Sequence, residues 1–91
     1  MQVEIKHIPE KSKFLASLEG ENAEITYDLS QNTIDFLHTF VPEKFRGEGV
    51  AEEMARFSLD YARKNNLKVI ASCRFVASYI KRHEAYQDLL K

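Results

Sequence analysis

The organisation of this chain is decided at residues 41–51, which read VPEKFRGEGVA. Before this stretch the apolar residues alternate with polar ones, a period of two that is typical of strands with one buried face. After it they recur at steps of three and four, which is typical of an amphipathic helix. The stretch itself holds two of the three glycines of the chain and predicts a loop that joins a strand to a helix.

The first half of the chain predicts four short strands. Alternation is clearest over residues 13–19 and 23–29, and residues 33–41 are rich in β-branched and aromatic side chains. A further strand is expected before Pro9. The turn residues at 19–22 separate two of these strands. Consecutive strands joined by short turns favour an antiparallel meander.

The second half predicts a helix from Val50, an apolar strand over residues 67–72, a helix from Phe75, and a short closing helix or turn over residues 84–91. The order is β-β-β-β-α-β-α, an α+β fold with a mostly antiparallel sheet. The fourth and fifth strands are expected to lie parallel, because a helix connects them as a crossover. Residues 1–91 are expected to form a single domain with one modest core.

Composition and charge exclude several classes of function. Thirteen Lys and Arg against fourteen Asp and Glu give a net charge of −1, which argues against nonspecific nucleic-acid binding. No run approaches the ~20 apolar residues of a membrane span, and the charged first twenty residues argue against a signal peptide. One cysteine and no export signal predict a cytoplasmic protein. The histidines lack ligand spacing from that cysteine, so no metal site is expected.

The loop over residues 46–51 has the chemistry of an anion site. The first backbone N–H groups of a helix lack partners, and the helix dipole favours negative charge there. Gly47 and Gly49 allow a ligand to approach the backbone, and Arg46 adds positive charge. Glu48 counts against an anion unless its side chain points to solvent. The residues therefore predict a phosphate or pyrophosphate site or, alternatively, a tight turn with incidental glycines.

The same loop resembles a known signature. Residues 46–51 are similar to the acetyl-CoA signature of the Gcn5-related N-acetyltransferase (GNAT) superfamily, with Arg46, Gly49 and Ala51 at its fixed positions. The likeness to a small subgroup, the YjdJ-type acetyltransferase-like domains, extends to residues 38–42, 72–73 and 75–90. This resemblance implies an abridged GNAT-like fold in which acetyl-CoA inserts between the two parallel strands.

The resemblance also implies where coenzyme A would bind. Backbone amides of the loop would hold the pyrophosphate, and the pantetheine arm would run along the end of the fourth strand towards Ser72 and Cys73. The implied cofactor-binding residues are Phe40, Val41, Arg46, Gly47, Glu48, Gly49, Val50 and Ala51.

Cys73 is the first candidate for catalysis. It follows an apolar strand and precedes a helix, and both the helix start and the adjacent Arg74 favour a thiolate. It would then take an acetyl group from coenzyme A or line the transfer site, and the subgroup resemblance supports such a role. Alternatively, Cys73 is a small buried hydrophobic residue, which is common for a free cysteine.

His38 is the second candidate for catalysis. If Ile34, Phe36 and Phe40 face one side of their strand, His38 shares that side and could act as a general base. Alternatively, it is a core histidine bonded to the backbone.

Tyr79 lies on the helix where, in the wider superfamily that this chain resembles, a tyrosine can protonate the leaving CoA thiolate. In this chain Tyr79 is expected to be a core aromatic residue.

Two functions from different classes follow. The first is transfer of acetyl from acetyl-CoA to an amine, on a protein lysine or a small molecule, directly or through acetyl-Cys73. The alternative is a non-catalytic CoA-binding or protein-interaction module. The chain lacks the residues for the two helices that the larger superfamily has between its first two strands, so the acceptor groove is open or absent. Nothing in the sequence requires a second copy of the chain.

Overall fold

The computed structural model describes residues 3–91, which form a five-stranded sheet with two helices packed against one face. The strands are β1 (Glu4–Ile8), β2 (Lys13–Leu18), β3 (Glu21–Ser30), β4 (Thr33–Phe40) and β5 (Lys68–Ala71). The helices are α1 (Val50–Lys64) and α2 (Arg74–Arg82), and short 3-10 turns occur at Pro9–Lys11, Glu43–Phe45 and Glu84–Leu89. The predicted order β-β-β-β-α-β-α is confirmed.

The strands follow one another across the sheet in sequence order. The first four form an antiparallel meander, and β4 lies parallel to β5 after the crossover through α1, as predicted. Residues 33–36 of β4 lie opposite residues 68–71 of β5. Among the described residues, β5 does not pair with the rest of β4, Leu37–Phe40, where the only strand pairing is that of residues 38–40 with β3. One edge of β4 is therefore uncovered over these four residues.

The core lies between the sheet and the helices. Alternate residues of β2, β3 and β4 face inward and are fully buried, among them Phe14, Ile25 and Phe36. Met54 and Leu59 of α1 pack against them. Burial of each such side chain contributes roughly 1.5–3 kcal/mol to folding, which explains why the sequence periodicity predicts these elements well.

A β-bulge interrupts the alternation in β4. Tyr27 of β3 lies opposite Phe36, whereas the preceding Thr26 lies opposite His38, so Leu37 is the extra residue. A bulge places two residues of one strand against one of its neighbour and shifts the facing of every residue that follows.

The bulge reverses the predicted facing of the end of β4. Thr39 lies opposite the fully buried Ile25 and takes the inward position. His38 and Phe40 lie on the open face of the sheet, and Phe40 is 51% exposed. The expectation that both residues share the face of Phe36 is therefore wrong, because it assumed an uninterrupted strand.

His7 of β1 lies in an aromatic cluster beside α1. Its ring stacks on Phe14 at 4.4 Å between centroids and meets the edge of Tyr61 at 4.4 Å. Its Nε2 lies 2.6 Å from the Tyr27 hydroxyl. Burial lowers the pKa of His7 below its ordinary value of 6.5, and this effect outweighs the opposing charge of Glu10.

Folding stability should therefore decrease as the pH falls through the ordinary histidine range. Unfolded His7 binds a proton near pH 6.5, whereas folded His7 binds it only at lower pH, so acid favours the unfolded state. We expect the free energy of unfolding by urea to fall between neutral and mildly acidic pH, and to fall less in His7→Gln. An unchanged pH dependence in the variant would show that another group is responsible.

Candidate functional site

The loop between β4 and α1 is shaped by a 3-10 turn and two glycines. Phe45 ends the turn and is buried, which anchors the loop to the core. Gly47 and Gly49 both have φ near +84°, a conformation that other residues rarely adopt. A Cβ atom at either glycine would meet no atom within 4 Å. The backbone conformation therefore explains both glycines, and the space outside the loop stays open.

The backbone donors at the start of α1 are free. Gly49 caps the helix without a side chain, and the first helical bond runs from the Glu53 N–H to the Gly49 carbonyl at 3.1 Å. Within residues 3–91, no acceptor pairs with the N–H groups of residues 47–52. Free donors at the positive end of a helix dipole are the feature on which the prediction of an anion site at this loop rests.

Arg46 ties the loop to the end of β4. Its Nε donates to the Val41 carbonyl at 3.0 Å, and the rest of its exposed guanidinium adds positive charge beside the free N–H groups. Glu48 is exposed and does not line the neighbouring cavity, so the acidic side chain leaves the loop open to an anion.

A cavity of about 390 Å³ lies against this loop. We call it the loop cavity. Of the residues predicted to bind coenzyme A, six line it and Phe40 and Glu48 do not. The six are Val41, Arg46, Gly47, Gly49, Val50 and Ala51.

A second cavity, of about 370 Å³, lies where β4 and β5 diverge. We call it the cysteine cavity, because Cys73 lines it together with His38. Leu37 and Thr39 of β4 complete one wall, and the start of α2 forms the other. Phe75 of α2 lines both cavities, so they share one wall residue, and we call the two cavities together the cleft.

The turn from β5 into α2 is held by Asp35 of β4. Its carboxylate accepts a hydrogen bond from the Ser72 N–H at 3.2 Å and from the Ser72 hydroxyl at 3.1 Å. The next residue, Cys73, donates its N–H to the Phe36 carbonyl at 2.8 Å. These bonds fix the point at which β5 leaves β4 and the cleft begins.

Cys73 is a free thiol at the start of α2 and is 7% exposed. Its Sγ lies 3.2 Å from the Thr39 hydroxyl. Among the hydrogen bonds of residues 3–91, none joins Cys73 to His38. The sulfur is therefore largely buried, as a structural cysteine would be, yet it lines a cavity and has a polar partner.

Tyr79 is a buried core residue, as expected. Its ring stacks on His83 with centroids 3.9 Å apart, and burial raises its pKa above the ordinary value. It lines neither the loop cavity nor the cysteine cavity.

A larger groove of about 630 Å³ lies between β1 and α1. Ile5, Phe57 and Tyr61 form apolar parts of its wall, and the acidic Glu53 on its rim already pairs with Arg56 at 2.7 Å. None of the predicted site residues lines it. Binding of a ligand in this groove, and not in the loop cavity or the cysteine cavity, would therefore argue against the predicted site.

Two further kinds of site concern residues 3–91, namely a metal-ligand cluster and a membrane-spanning helix. Over this part of the chain, the structure groups no three His, Cys, Asp or Glu side chains around a point that a metal ion could occupy. No described helix has the length and apolar character needed to cross a bilayer.

Thr39 and Phe75 are among the cavity-lining residues to which the sequence assigned no role. Both belong to segments that carry the family resemblance. The facing of Thr39 depends on the bulge, and the position of Phe75 depends on how α2 leaves the sheet.

Comparisons with known proteins match this fold. A family model described as GCN5-related N-acetyl-transferase matches residues 13–89. Protein NATD1 of Xenopus tropicalis is 29% identical over 90 residues, which cover 96% of this chain and 83% of NATD1. Human NATD1 is 28% identical over 96% of this chain and 80% of its own length. The solution NMR structure of a GCN5-like protein from Staphylococcus aureus has a TM-score of 0.77 and 36% identity, covering 97% and 87% of the two chains.

Proposed function

Since the chain belongs to the GCN5-related N-acetyltransferase family, we propose that it binds acetyl-CoA along the cleft and transfers the acetyl group to an amine. One observation carries the proposal: free backbone donors lie at one end of the cleft and a thiol at the other, with Phe75 common to both cavities. A long ligand with a charged end and a reactive end matches this arrangement.

Each part of the cleft has a role in holding acetyl-CoA. The N–H groups of residues 47–52 bind the diphosphate, and Arg46 adds charge. The uncovered edge of Leu37–Phe40 offers backbone groups to the amide-bearing pantetheine arm. Cys73 then lies next to the thioester. The order of these features along the cleft is that of the chemical groups along coenzyme A.

The route we favour passes through acetyl-Cys73. The Cys73 thiolate attacks the thioester carbonyl, a new carbon–sulfur bond forms, and coenzyme A leaves as a thiolate that takes a proton from solvent. The acceptor amine then attacks the acetyl-cysteine, a carbon–nitrogen bond forms, and the bond to Cys73 breaks. His38, which lines the same cavity, accepts the proton that the amine releases. Direct attack of the amine on the thioester is the alternative route.

A reducing compartment such as the cytoplasm suits this route, because Cys73 must remain a free thiol. The acceptor is a protein lysine or a small amine. The exposure of His38 and the open sheet face leave this side of the cleft accessible.

A specific observation favours a second function, that of a non-catalytic CoA-binding or interaction module. β1 and β2 are joined by residues 9–12 alone, with a single 3-10 turn and no helix. An acetyltransferase gains rate by holding two substrates together, and this short connection forms no wall for an acceptor. Binding of coenzyme A without turnover on any amine would support the module.

Amide NMR tests where coenzyme A binds. On titration with coenzyme A, we expect the largest chemical-shift changes at residues 47–52 and at Leu37–Phe40, because these backbone groups are free to contact the ligand. The amides around Ile5 and Tyr61, which line the groove beside β1, should change little and serve as the internal control. Changes confined to that groove, or no changes at all, would contradict the proposal.

A further inference from the structure

We propose that Thr39 is a positioning residue for Cys73, and that its hydroxyl donates a hydrogen bond to the sulfur when the thiol is ionised. The inference rests on the proposed function, since the reactivity of that sulfur matters for acetyl transfer.

The contact spans two distant parts of the chain. Thr39 lies on β4 and Cys73 at the start of α2, 34 residues apart, and Oγ1 and Sγ are separated by 3.2 Å. Both residues line the cysteine cavity. Among the side-chain hydrogen bonds of residues 3–91, Thr39 Oγ1 and Cys73 Sγ pair with each other and with no second group.

The bulge at Leu37 determines which side chain reaches the sulfur. With uninterrupted pairing, His38 would lie opposite Ile25 and take the inward position. The extra residue moves Thr39 into that position and turns His38 to the open face. A hydroxyl therefore contacts the thiol directly, while the imidazole stays on the outer wall of the cavity.

The chemistry of the pair suits a largely buried nucleophile. Burial disfavours a charged sulfur unless a donor compensates for the lost water. A thiolate can only accept hydrogen bonds, so the Thr39 hydroxyl is then the donor. The proton released on ionisation leaves through the open cavity, and Thr39 keeps its own. When the thiol is protonated, the same pair can bond in either direction.

Other titratable or charged side chains lie on the elements near the pair. His38 lies on β4, Arg74 follows Cys73 on α2, and Asp35 is bonded to Ser72. Glu52 of α1 lines the neighbouring loop cavity. All of these groups are unchanged in a Thr39 variant, so differences between variants report the hydroxyl.

The test compares Thr39→Val, which keeps the side-chain shape without the hydroxyl, with Thr39→Ser, which keeps the hydroxyl. The rate of Cys73 alkylation by iodoacetamide is measured by intact mass across neutral and alkaline pH. We expect Thr39→Val to react about tenfold more slowly near neutral pH, with its profile displaced to higher pH, because a hydrogen bond to a charged group is lost. Thr39→Ser should follow the parent. Acetylation by acetyl-CoA should show the same ranking.

Two results would overturn the role of Thr39: a parent-like profile in Thr39→Val, or a Thr39→Ser profile as slow as that of Thr39→Val. Thr39→Ala provides a second hydroxyl-free variant if the valine variant does not fold. Failure of the parent to be acetylated by acetyl-CoA would instead overturn the acetyl-Cys73 route of the proposed function. The alkylation profiles need no coenzyme A, so the two failures are distinguishable.

Discussion

Replacing Gly49 with valine should abolish the stabilisation of the folded protein by coenzyme A. A ligand that binds only the folded state stabilises it by about 2.7 kcal/mol at a hundredfold excess over its Kd. A branched side chain at Gly49 would occupy the open space beside the free N–H groups, where the diphosphate is proposed to lie. Thermal unfolding with and without coenzyme A measures the effect, each variant being compared with its own ligand-free sample.

Gly20→Val is the matched control. Gly20 lies in the turn between β2 and β3, has φ near +87°, and like Gly49 has no atom within 4 Å of an added Cβ. Both substitutions should lower folding stability through backbone strain, by roughly 1–3 kcal/mol. Only Gly49→Val should lose the response to coenzyme A. A full response in Gly49→Val would mean that the anion does not bind at this loop.

Replacing Cys73 with alanine should abolish covalent acetylation of the protein. After incubation with acetyl-CoA, we expect the parent to gain the mass of one acetyl group and Cys73→Ala to gain none. No other thiol can substitute, because the chain has one cysteine. Turnover on an amine should fall by about 10³-fold or more, as for removal of other catalytic nucleophiles. Intact-mass spectrometry and an assay for released coenzyme A measure the two effects.

His38→Gln separates the two halves of this reaction. It should still form acetyl-Cys73 but pass the acetyl group to an amine more slowly, because the proposed proton acceptor is gone. Undiminished turnover in Cys73→Ala would instead support direct attack of the amine on the thioester. Acetylation of Cys73→Ala to the parent's extent would place the modified group elsewhere in the chain.

The order and pairing of the elements could be predicted from the sequence. Strand alternation and helical spacing reflect burial on one face, and the helical connection through α1 favours parallel pairing of β4 and β5. The loop at residues 46–51 could also be predicted, because free N–H groups and positive φ are local properties of a glycine-rich helix start.

The facing of the end of β4 could not be predicted. Thr33–Phe40 contains no glycine or proline that would mark a bulge, and the extra residue Leu37 appears only in the pairing with β3. One displaced residue moved His38 and Phe40 to the open face and Thr39 inward. The contact between Thr39 and Cys73 depends on this tertiary effect, as does the position of Phe75 between the two cavities.

The bonds between Asp35 and Ser72 have a consequence for folding specificity. A slip of β5 by two residues towards the end of β4 would keep its side chains on the same faces, and would cover half of the strand edge that now opens the cleft. The Lys68 N–H bond to the Asn32 carbonyl, at 2.8 Å, fixes one end of β5 against such a slip. Asp35 fixes the other end through Ser72. Asp35 lines neither cavity, yet it selects the alignment in which a cleft exists.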